Sequence, residues 1–305
     1  MNCELGLILP KGGIFLKNFL LLLTAAALLC GFVLCGCGAA ERKDRKKGAA
    51  LFSWSDDVFE SENTKRLMEN MDSWGVTVLF QAFPGKLKKE ELRAFMAETA
   101  GRGITVYLLT GEPEWGLDPS GSDMAEEVER AAAYNRILPA DAQLAGVLMD
   151  TEPYLTEEWD DDMESVMDSF VSGMREVRRA ARGEGLELVG CIPYYYDTKG
   201  LEAQLSALIQ EGCDGLAIMN YYKEGEAEHI KTEMRLANDA DIPVTVVYEL
   251  KAPGEHGLTE KNTYYAEGLE GVRKSVRAME KYYGTGSFLY ALHDYEAVKE
   301  AAERE

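Results

Sequence analysis

Two carboxylates, Asp150 and Glu152, follow an apolar run that ends at Met149, and Pro153 comes directly after them. A short continuous apolar run is typical of a buried parallel strand, and a proline just past it ends the strand. Because side chains alternate along a strand, we expect both carboxylates on one face, about 7 Å apart along the chain. Two buried carboxylates are costly to ionise together, so one should have the raised pKa that a general acid requires. The alternative is that the pair caps the following helix.

Short apolar runs alternate with longer helical patterns along most of the chain. The predicted strands are 50–54, 76–80, 104–109, 144–149, 186–192, 215–219, 243–247 and 288–292. The predicted helices are 62–74, 88–101, 122–138, 161–183, 201–211, 230–237 and 262–283. Such alternation predicts a parallel sheet covered by helices, and eight units over about 250 residues indicate a single (β/α)8 TIM-type barrel. No glycine-rich phosphate loop follows the first strand, which weighs against an open nucleotide-binding sheet.

The first 36 residues have the pattern of an export signal. Lys11 and Lys17 precede an apolar run at 19–34, and a positive segment before an apolar one is typical of secretory signals. Leu34-Cys35-Gly36-Cys37 resembles the bacterial lipobox, and the resemblance implies that Cys37 is the lipidated first residue of the mature protein. A plain signal-anchor helix is the alternative.

The expected organisation is a lipoprotein signal peptide at 1–36, a basic lipidated tether at 37–49 and the barrel at 50–305. We expect the protein on the outer face of the cytoplasmic membrane, or on an outer membrane if the cell has one. The formal net charge of -21 argues against binding to nucleic acid or docking on anionic lipid, so membrane contact should occur through the lipid anchor alone. In the barrel, Cys191 and Cys213 are expected as buried free thiols, with a disulfide as the alternative.

The carboxyl ends of the strands form the active site of such barrels. Besides Asp150 and Glu152, the candidate residues there are Trp54, Asp56, Gln81, Glu112, Trp115, Tyr154, Tyr194, Tyr196, Asn220, Tyr221, Glu249 and His293. Carboxylates, amides and aromatic rings predict a pocket for a glycan. With three histidines and no H-x-H pattern, no metal site and no cofactor is expected. The tyrosines could instead be half-buried packing at the barrel rim, and we expect a monomer.

Two short motifs resemble the family 18 glycoside hydrolases (chitinase-like). Gly146-Val-Leu-Met-Asp150-Thr-Glu152 is similar to the second half of their D-G-x-x-x-D-x-E signature, and Met219-Asn-Tyr221 is similar to their sixth-strand M-x-Y motif. The resemblance implies that Glu152 is the general acid, while Asp150 and Tyr221 support a substrate N-acetyl group that acts as the nucleophile. The chain departs from the pattern because the first aspartate of the signature is missing and the eighth strand carries no tryptophan.

A second resemblance is to the clan A retaining glycosidases, which use glutamates on strands four and seven. It implies that Glu152 is the acid and Glu249 the nucleophile, with the two carboxyl groups about 5 Å apart. Thr151 stands where that clan usually has asparagine. Glu249 could instead form an ion pair with Lys223 or Lys251.

Both resemblances give Glu152 the same role. The sequence therefore predicts a membrane-anchored, extracytoplasmic glycoside hydrolase with Glu152 as general acid. A non-catalytic carbohydrate-binding pseudoenzyme and a tethered scaffold barrel are the alternatives.

Overall fold

The computed structural model describes residues 48–304, so the predicted signal peptide, Cys37 and nearly all of the tether lie outside the described residues. Eight parallel strands close into a barrel in sequence order, and the last strand pairs with the first. They are β1 (Ala49–Ser53), β2 (Val76–Ala82), β3 (Thr105–Thr110), β4 (Gly146–Met149), β5 (Glu187–Pro193), β6 (Gly215–Met219), β7 (Val244–Glu249) and β8 (Leu289–His293). The predicted (β/α)8 barrel is confirmed.

Nine α helices of residues 48–304 cover the outside of the barrel. They are α1 (Ser61–Trp74), α2 (Lys89–Gly101), α3 (Ser122–Asn135), α4 (Glu157–Gly183), α5 (Glu202–Ala207), α6 (Glu226–His229), α7 (Lys231–Asp239), α8 (Gly268–Tyr283) and α9 (Tyr295–Arg304). Short 3-10 turns at Asp56–Phe59, Pro113–Leu117 and Pro153–Leu155 follow β1, β3 and β4. Between β2 and its preceding helix, Gly75 adopts a φ of 73°, which closes α1 in the left-handed conformation that glycine favours.

Several helices differ from the sequence prediction: α4 begins at Glu157 rather than at residue 161, and α5 ends at Ala207 rather than at residue 211. The seventh predicted helix was expected from residue 262 but begins at Gly268, because the preceding segment is hydrogen-bonded to the end of β7. There the Tyr264 N–H donates to the Glu249 carbonyl at 2.8 Å, and the Thr263 hydroxyl donates to the Lys251 carbonyl at 2.7 Å. The short helix α6 and the last helix, α9, which follows β8, were not predicted.

The side chains that point into the barrel alternate with those that point towards the helices. The inward-facing set is Ala50, Phe52, Val78, Phe80, Tyr107, Leu109, Leu148, Val189, Cys191, Ala217, Met219, Val247, Leu289 and Ala291. On the β1–β3 side this interior is aromatic, since the Phe52 and Phe80 rings are 5.0 Å apart and the Phe80 and Tyr107 rings 5.5 Å apart. The polar residues that follow the inward-facing apolar ones come instead from β4, β6, β7 and β8.

Cys191 and Cys213 are both buried free thiols, as expected. Within residues 48–304, no helix combines the length and the apolar character that crossing a bilayer requires.

Candidate active site

Four polar side chains form one layer at the carboxyl end of the barrel. Each lies two residues beyond the last inward-facing apolar residue of its strand: Asp150 after Leu148 in β4, Tyr221 after Met219 in β6, Glu249 after Val247 in β7 and His293 after Ala291 in β8. Because successive side chains of a strand alternate, this spacing turns all four towards the barrel axis. The fold thus brings together residues that lie up to 143 positions apart, between Asp150 and His293.

Asp150 continues the hydrogen-bond ladder of β4, whereas Glu152 leaves it. The Asp150 N–H donates to the Thr110 carbonyl at 2.8 Å, and the side chain of Thr151 is buried on the outer side against Met124. Glu152 has a φ of 52°, a left-handed conformation that a residue with a side chain rarely adopts. The two carboxylates therefore reach the same site through a sharp turn rather than through strand alternation.

Glu152 has the electrostatic character of an acid that works near neutral pH. Burial is the main cause that raises its pKa to about 7, and the negative charge of Asp150 raises it further. A hydrogen bond from the Tyr154 hydroxyl and the charge of His293 act in the opposite direction. A carboxylic acid in this range still carries a proton at the pH where it must donate one.

Asp150 is the more buried of the two carboxylates. Burial raises its pKa, while a hydrogen bond with the Cys191 thiol and the charge of His293 partly offset the increase. Its Oδ1 is buried and has no hydrogen-bond partner among the described residues. A buried acceptor oxygen without a partner is costly, and a ligand that donates a hydrogen bond there would remove the cost.

Gly111 forms the wall beside Asp150. A Cβ at this position would lie 2.0 Å from the Asp150 carbonyl oxygen, which is far inside any allowed contact. Glycine at the end of β3 therefore permits the close approach of the two chain segments, and with it the position of the carboxylate.

Glu249 has both carboxylate oxygens occupied. Its Oε1 accepts hydrogen bonds from the backbone N–H groups of Leu250 at 2.9 Å and Lys251 at 2.8 Å, and its Oε2 lies 2.9 Å from Nδ1 of His293. The side chain is 4% exposed. This arrangement fixes Glu249 as a partner of His293, and it does not present a free oxygen as the clan A nucleophile would require.

The lysines considered as partners of Glu249 pair elsewhere. Lys223 forms an ion pair with Glu267 at 2.7 Å, and Lys251 forms one with Asp294 at 3.0 Å. The alternative of an ion pair between Glu249 and either lysine is therefore wrong.

In the strand order, Tyr221 after β6 stands between Asp150 after β4 and Glu249 at the end of β7. Burial is the main cause that raises the pKa of its hydroxyl well above the usual value, and the charges of Glu249, Asp150 and Glu152 contribute in the same direction. The centre of its ring is 6.0 Å from that of His293. Tyr221 therefore remains a neutral hydrogen-bond donor beside both carboxylates.

A cluster of aromatic rings borders the site on the β4–β5 side. The Tyr154 ring contacts those of Trp159, Tyr195 and Tyr196 at centroid distances of 6.4, 5.8 and 6.4 Å. Tyr196 is 1% exposed, so its ring supports the cluster from the core rather than facing the mouth. Tyr195, which the sequence reading did not single out, is half-buried, and burial together with the charge of Glu152 raises its pKa to about 12.

Tyr194 extends this cluster towards α6, since its ring lies 5.5 Å from that of Tyr195. Its ring stacks on His229 at a centroid distance of 5.0 Å and an interplanar angle of 27°.

Trp54 follows the inward-facing Phe52 of β1 and is 40% exposed, so its indole is available at the rim of the mouth. The Phe52 ring in turn lies 5.4 Å from that of His293.

Other candidate residues take structural or peripheral positions. Gln81 is fully buried and donates to the carbonyl oxygens of Ser55 at 3.0 Å and Ala82 at 2.7 Å, so it holds the loop after β1. Asn220 is buried and donates to the Glu226 carbonyl at 2.9 Å, which fixes the start of α6. The side chains of Asp56 and Glu112 are exposed, and Trp115 packs its ring against the outer core.

The described residues also define two open cavities outside this layer. One of about 430 Å³ lies between the loops after β6 and β7, and one of about 440 Å³ lies between the loop after β7 and α9. Neither is lined by Asp150 or Glu152. Among residues 48–304, no group of three or more histidine, cysteine, aspartate or glutamate side chains is placed to hold a metal ion.

Comparison with known proteins relates the chain to others through its fold. The sequence matches no protein-family model and no curated protein. A chitinase from Chromobacterium violaceum superposes with a TM-score of 0.50 at 14% identity, over 85% of this chain and 100% of that one. A GH18 chitinase from Pseudoalteromonas aurantia gives 0.53 at 10% identity, over 85% and 100%.

A third similar structure is an intracellular xylanase from Thermoanaerobacterium saccharolyticum. It superposes with a TM-score of 0.52 at 8% identity, over 82% of this chain and 86% of that one. At these identities the similarity concerns the architecture of the chain. The protein thus has the TIM-barrel fold that these chitinases and this xylanase also adopt.

Proposed function

We propose that the protein is a glycoside hydrolase in which Glu152 donates a proton to the glycosidic oxygen. The observation that carries the proposal is the carboxylate pair at the end of β4, where burial and Asp150 raise the pKa of Glu152 to about 7. Glycosidases commonly use two carboxyl groups whose environments separate their protonation states. The partly exposed Glu152 can be reached by a ligand in the mouth.

The second partner in the proposed mechanism is Asp150, with Tyr221, rather than Glu249. Both oxygens of Glu249 are occupied by hydrogen bonds, whereas Oδ1 of Asp150 is buried and has no partner. A substrate N–H could donate to this oxygen, and the Tyr221 hydroxyl could donate to a substrate carbonyl. These groups suit a sugar with an N-acetyl substituent, whose carbonyl oxygen would attack the anomeric carbon while Asp150 orients the amide.

The glycan would lie across the mouth of the barrel. Trp54 at the rim offers an exposed ring for stacking on the apolar face of a sugar, while Tyr195 and Tyr194 border the opposite side. We further propose that the enzyme works as a monomer outside the cell, anchored through lipidated Cys37. The lipobox-like sequence before Cys37 supports this location.

The test is a panel of N-acetylated and unmodified polysaccharides, including chitin oligosaccharides and bacterial cell-wall glycan, with product release measured by chromatography. We expect the parent to cleave an N-acetylated glycan, and we expect Glu152→Gln to lose at least about 100-fold in kcat, since general acid catalysis contributes about 10²–10⁴-fold. Glu158→Gln, which changes an exposed acid of α4, is the matched control and should keep full activity.

Two outcomes contradict the proposal. Glycan binding without product release, unaffected by Glu152→Gln, would identify a carbohydrate-binding pseudoenzyme. Failure to bind any glycan would favour a tethered scaffold barrel.

A further inference from the structure

We propose that His293, held by Glu249, is a positioning residue whose imidazolium charge keeps one carboxylate of the Asp150–Glu152 pair ionised while the other carries a proton. The inference rests on the proposed function of Glu152, because the reaction needs one protonated and one ionised carboxyl group in the same mouth. In this proposal, Glu249 orients the imidazole of His293 and stabilises its positive charge.

The geometry fixes the orientation of the His293 ring. Nδ1 lies 2.9 Å from Oε2 of Glu249, and the other carboxylate oxygen is held by two backbone N–H groups. Glu249 therefore cannot rotate away, and Nε2 is the ring nitrogen left for the barrel mouth. The Phe52 ring packs against the imidazole from β1 and the Tyr221 ring from β6, which limits the motion of the histidine.

The charged and titratable groups that face His293 come from four strands. They are Glu249 and Lys251 at the end of β7, Asp294 after β8, Tyr221 after β6, and Asp150 and Glu152 after β4. Lys251 and Asp294 form an ion pair at 3.0 Å, and their charges act in opposite directions on the pKa of His293. Tyr221 is neutral, so Glu249 and the carboxylate pair are the anions that remain.

These contacts favour the charged histidine. Burial and the charge of Lys251 lower the pKa of His293, but the hydrogen bond and the charge of Glu249, together with Asp294, outweigh them and raise it. In turn, the charge of His293 lowers the pKa of both Asp150 and Glu152. Without this cation, burial would raise the pKa of both carboxyl groups further, which disfavours the ionised group that assists the substrate.

Electrostatic coupling between two titrating groups is reciprocal, so it can be measured on the histidine alone. The chain has three histidines, and a ¹H–¹³C NMR titration of the purified protein can resolve each of them. Replacing His229, His256 and His293 one at a time by glutamine assigns the signals. The titration is then repeated in Glu249→Gln, Asp150→Asn and Glu152→Gln.

We expect the pKa of His293 to fall by about one unit or more in Glu249→Gln, since an opposite charge within about 4–6 Å shifts a pKa by 1–3 units. It should fall by about half a unit in Asp150→Asn or Glu152→Gln, whose carboxylates lie farther away than Glu249 in the strand order. If Glu249→Gln does not fold, the two carboxylate variants decide. An unchanged His293 titration in both carboxylate variants would overturn the proposal.

The activity profile gives a second readout that a loss of packing would not produce. In His293→Gln the missing cation should move both limbs of the pH profile of kcat/KM upward by about half a unit or more; a lower but unshifted profile would contradict the proposal. The NMR titration requires no substrate. The coupling can therefore hold even if the protein cleaves no glycan, and it can fail even if Glu152 is the acid.

Discussion

The hydrogen bond from Tyr154 to Glu152 makes a prediction about the pH dependence of the reaction. Tyr154→Phe removes a donor that stabilises the ionised form of Glu152, so the pKa of this carboxyl group should rise. A hydrogen bond to a charged group contributes about 1.5–3 kcal/mol, and one pKa unit corresponds to about 1.4 kcal/mol. Because Glu152 is partly exposed, water replaces some of the lost bond. We therefore expect a rise of about one unit, from about 7 to about 8.

The assay is the pH profile of kcat/KM on the glycan that the panel identifies, since this profile reports groups of the free enzyme. The alkaline limb, where Glu152 loses its proton, should move up by about one unit in Tyr154→Phe. Tyr195→Phe is the matched control: its ring contacts that of Tyr154, and we expect the limb to move by less than about 0.3 unit. An alkaline limb that stays in place or moves down in Tyr154→Phe would refute the reasoning.

Three further substitutions test other parts of the account. Gly111→Ala places a Cβ 2.0 Å from the Asp150 carbonyl oxygen, so activity should drop more than about tenfold and the free energy of unfolding by about 2 kcal/mol. Gly101→Ala, which has open space around its Cβ, is the control and should change neither. Burial raises the pKa of Glu233 to about 8, so its contribution to stability is lost as pH rises from about 4.5 through about 8. In urea denaturation, Glu233→Met should therefore gain on the parent by up to about 1.4 kcal/mol per pH unit in that window, and a gain independent of pH would contradict this. Trp54→Ala should weaken glycan binding between about two- and tenfold and change stability by less than about 1 kcal/mol, because the ring is 40% exposed; unchanged binding in calorimetry would remove Trp54 from the glycan site.

The barrel was predictable because its strands are continuous apolar runs that end at polar residues. Every predicted strand lies within about two residues of an observed one, since burial on both faces leaves little choice of residue type. The start of α8 was not predictable in this way. The segment before Gly268 contains residues that suit a helix, but tertiary hydrogen bonds of Thr263 and Tyr264 to β7 hold it extended.

Strand ends also identified the polar layer of the mouth. Asp150, Tyr221, Glu249 and His293 all follow an apolar run, and counting strands was enough to bring them to one end of the barrel. The partner of Glu249 could not be predicted, because His293 lies 44 residues away and nothing local links the two. Lys223 and Lys251 are better partners by charge alone, but the fold pairs them with Glu267 and Asp294.

Strand alternation would have refined the set of candidate residues. Gln81 and Asn220 follow Phe80 and Met219, which face inward, so their own side chains must point towards the helices. The same alternation identifies Cys191 as an inward-facing residue beside Asp150, which the sequence reading treated only as a buried thiol. Among the three consecutive tyrosines, the turn after β5 decides which ring faces the site, and turn geometry was not readable from the residues.

The most direct test of the central claim is the dependence of Glu152→Gln on the leaving group. A general acid matters for a leaving group that must be protonated and matters little for one that departs as a stable anion. With aryl glycosides of the sugar that the panel identifies, we predict that kcat/KM of Glu152→Gln falls at least about 100-fold for a poorly acidic phenol as leaving group and less than about tenfold for dinitrophenolate. Equal losses on both substrates would contradict the assignment of Glu152 as the proton donor.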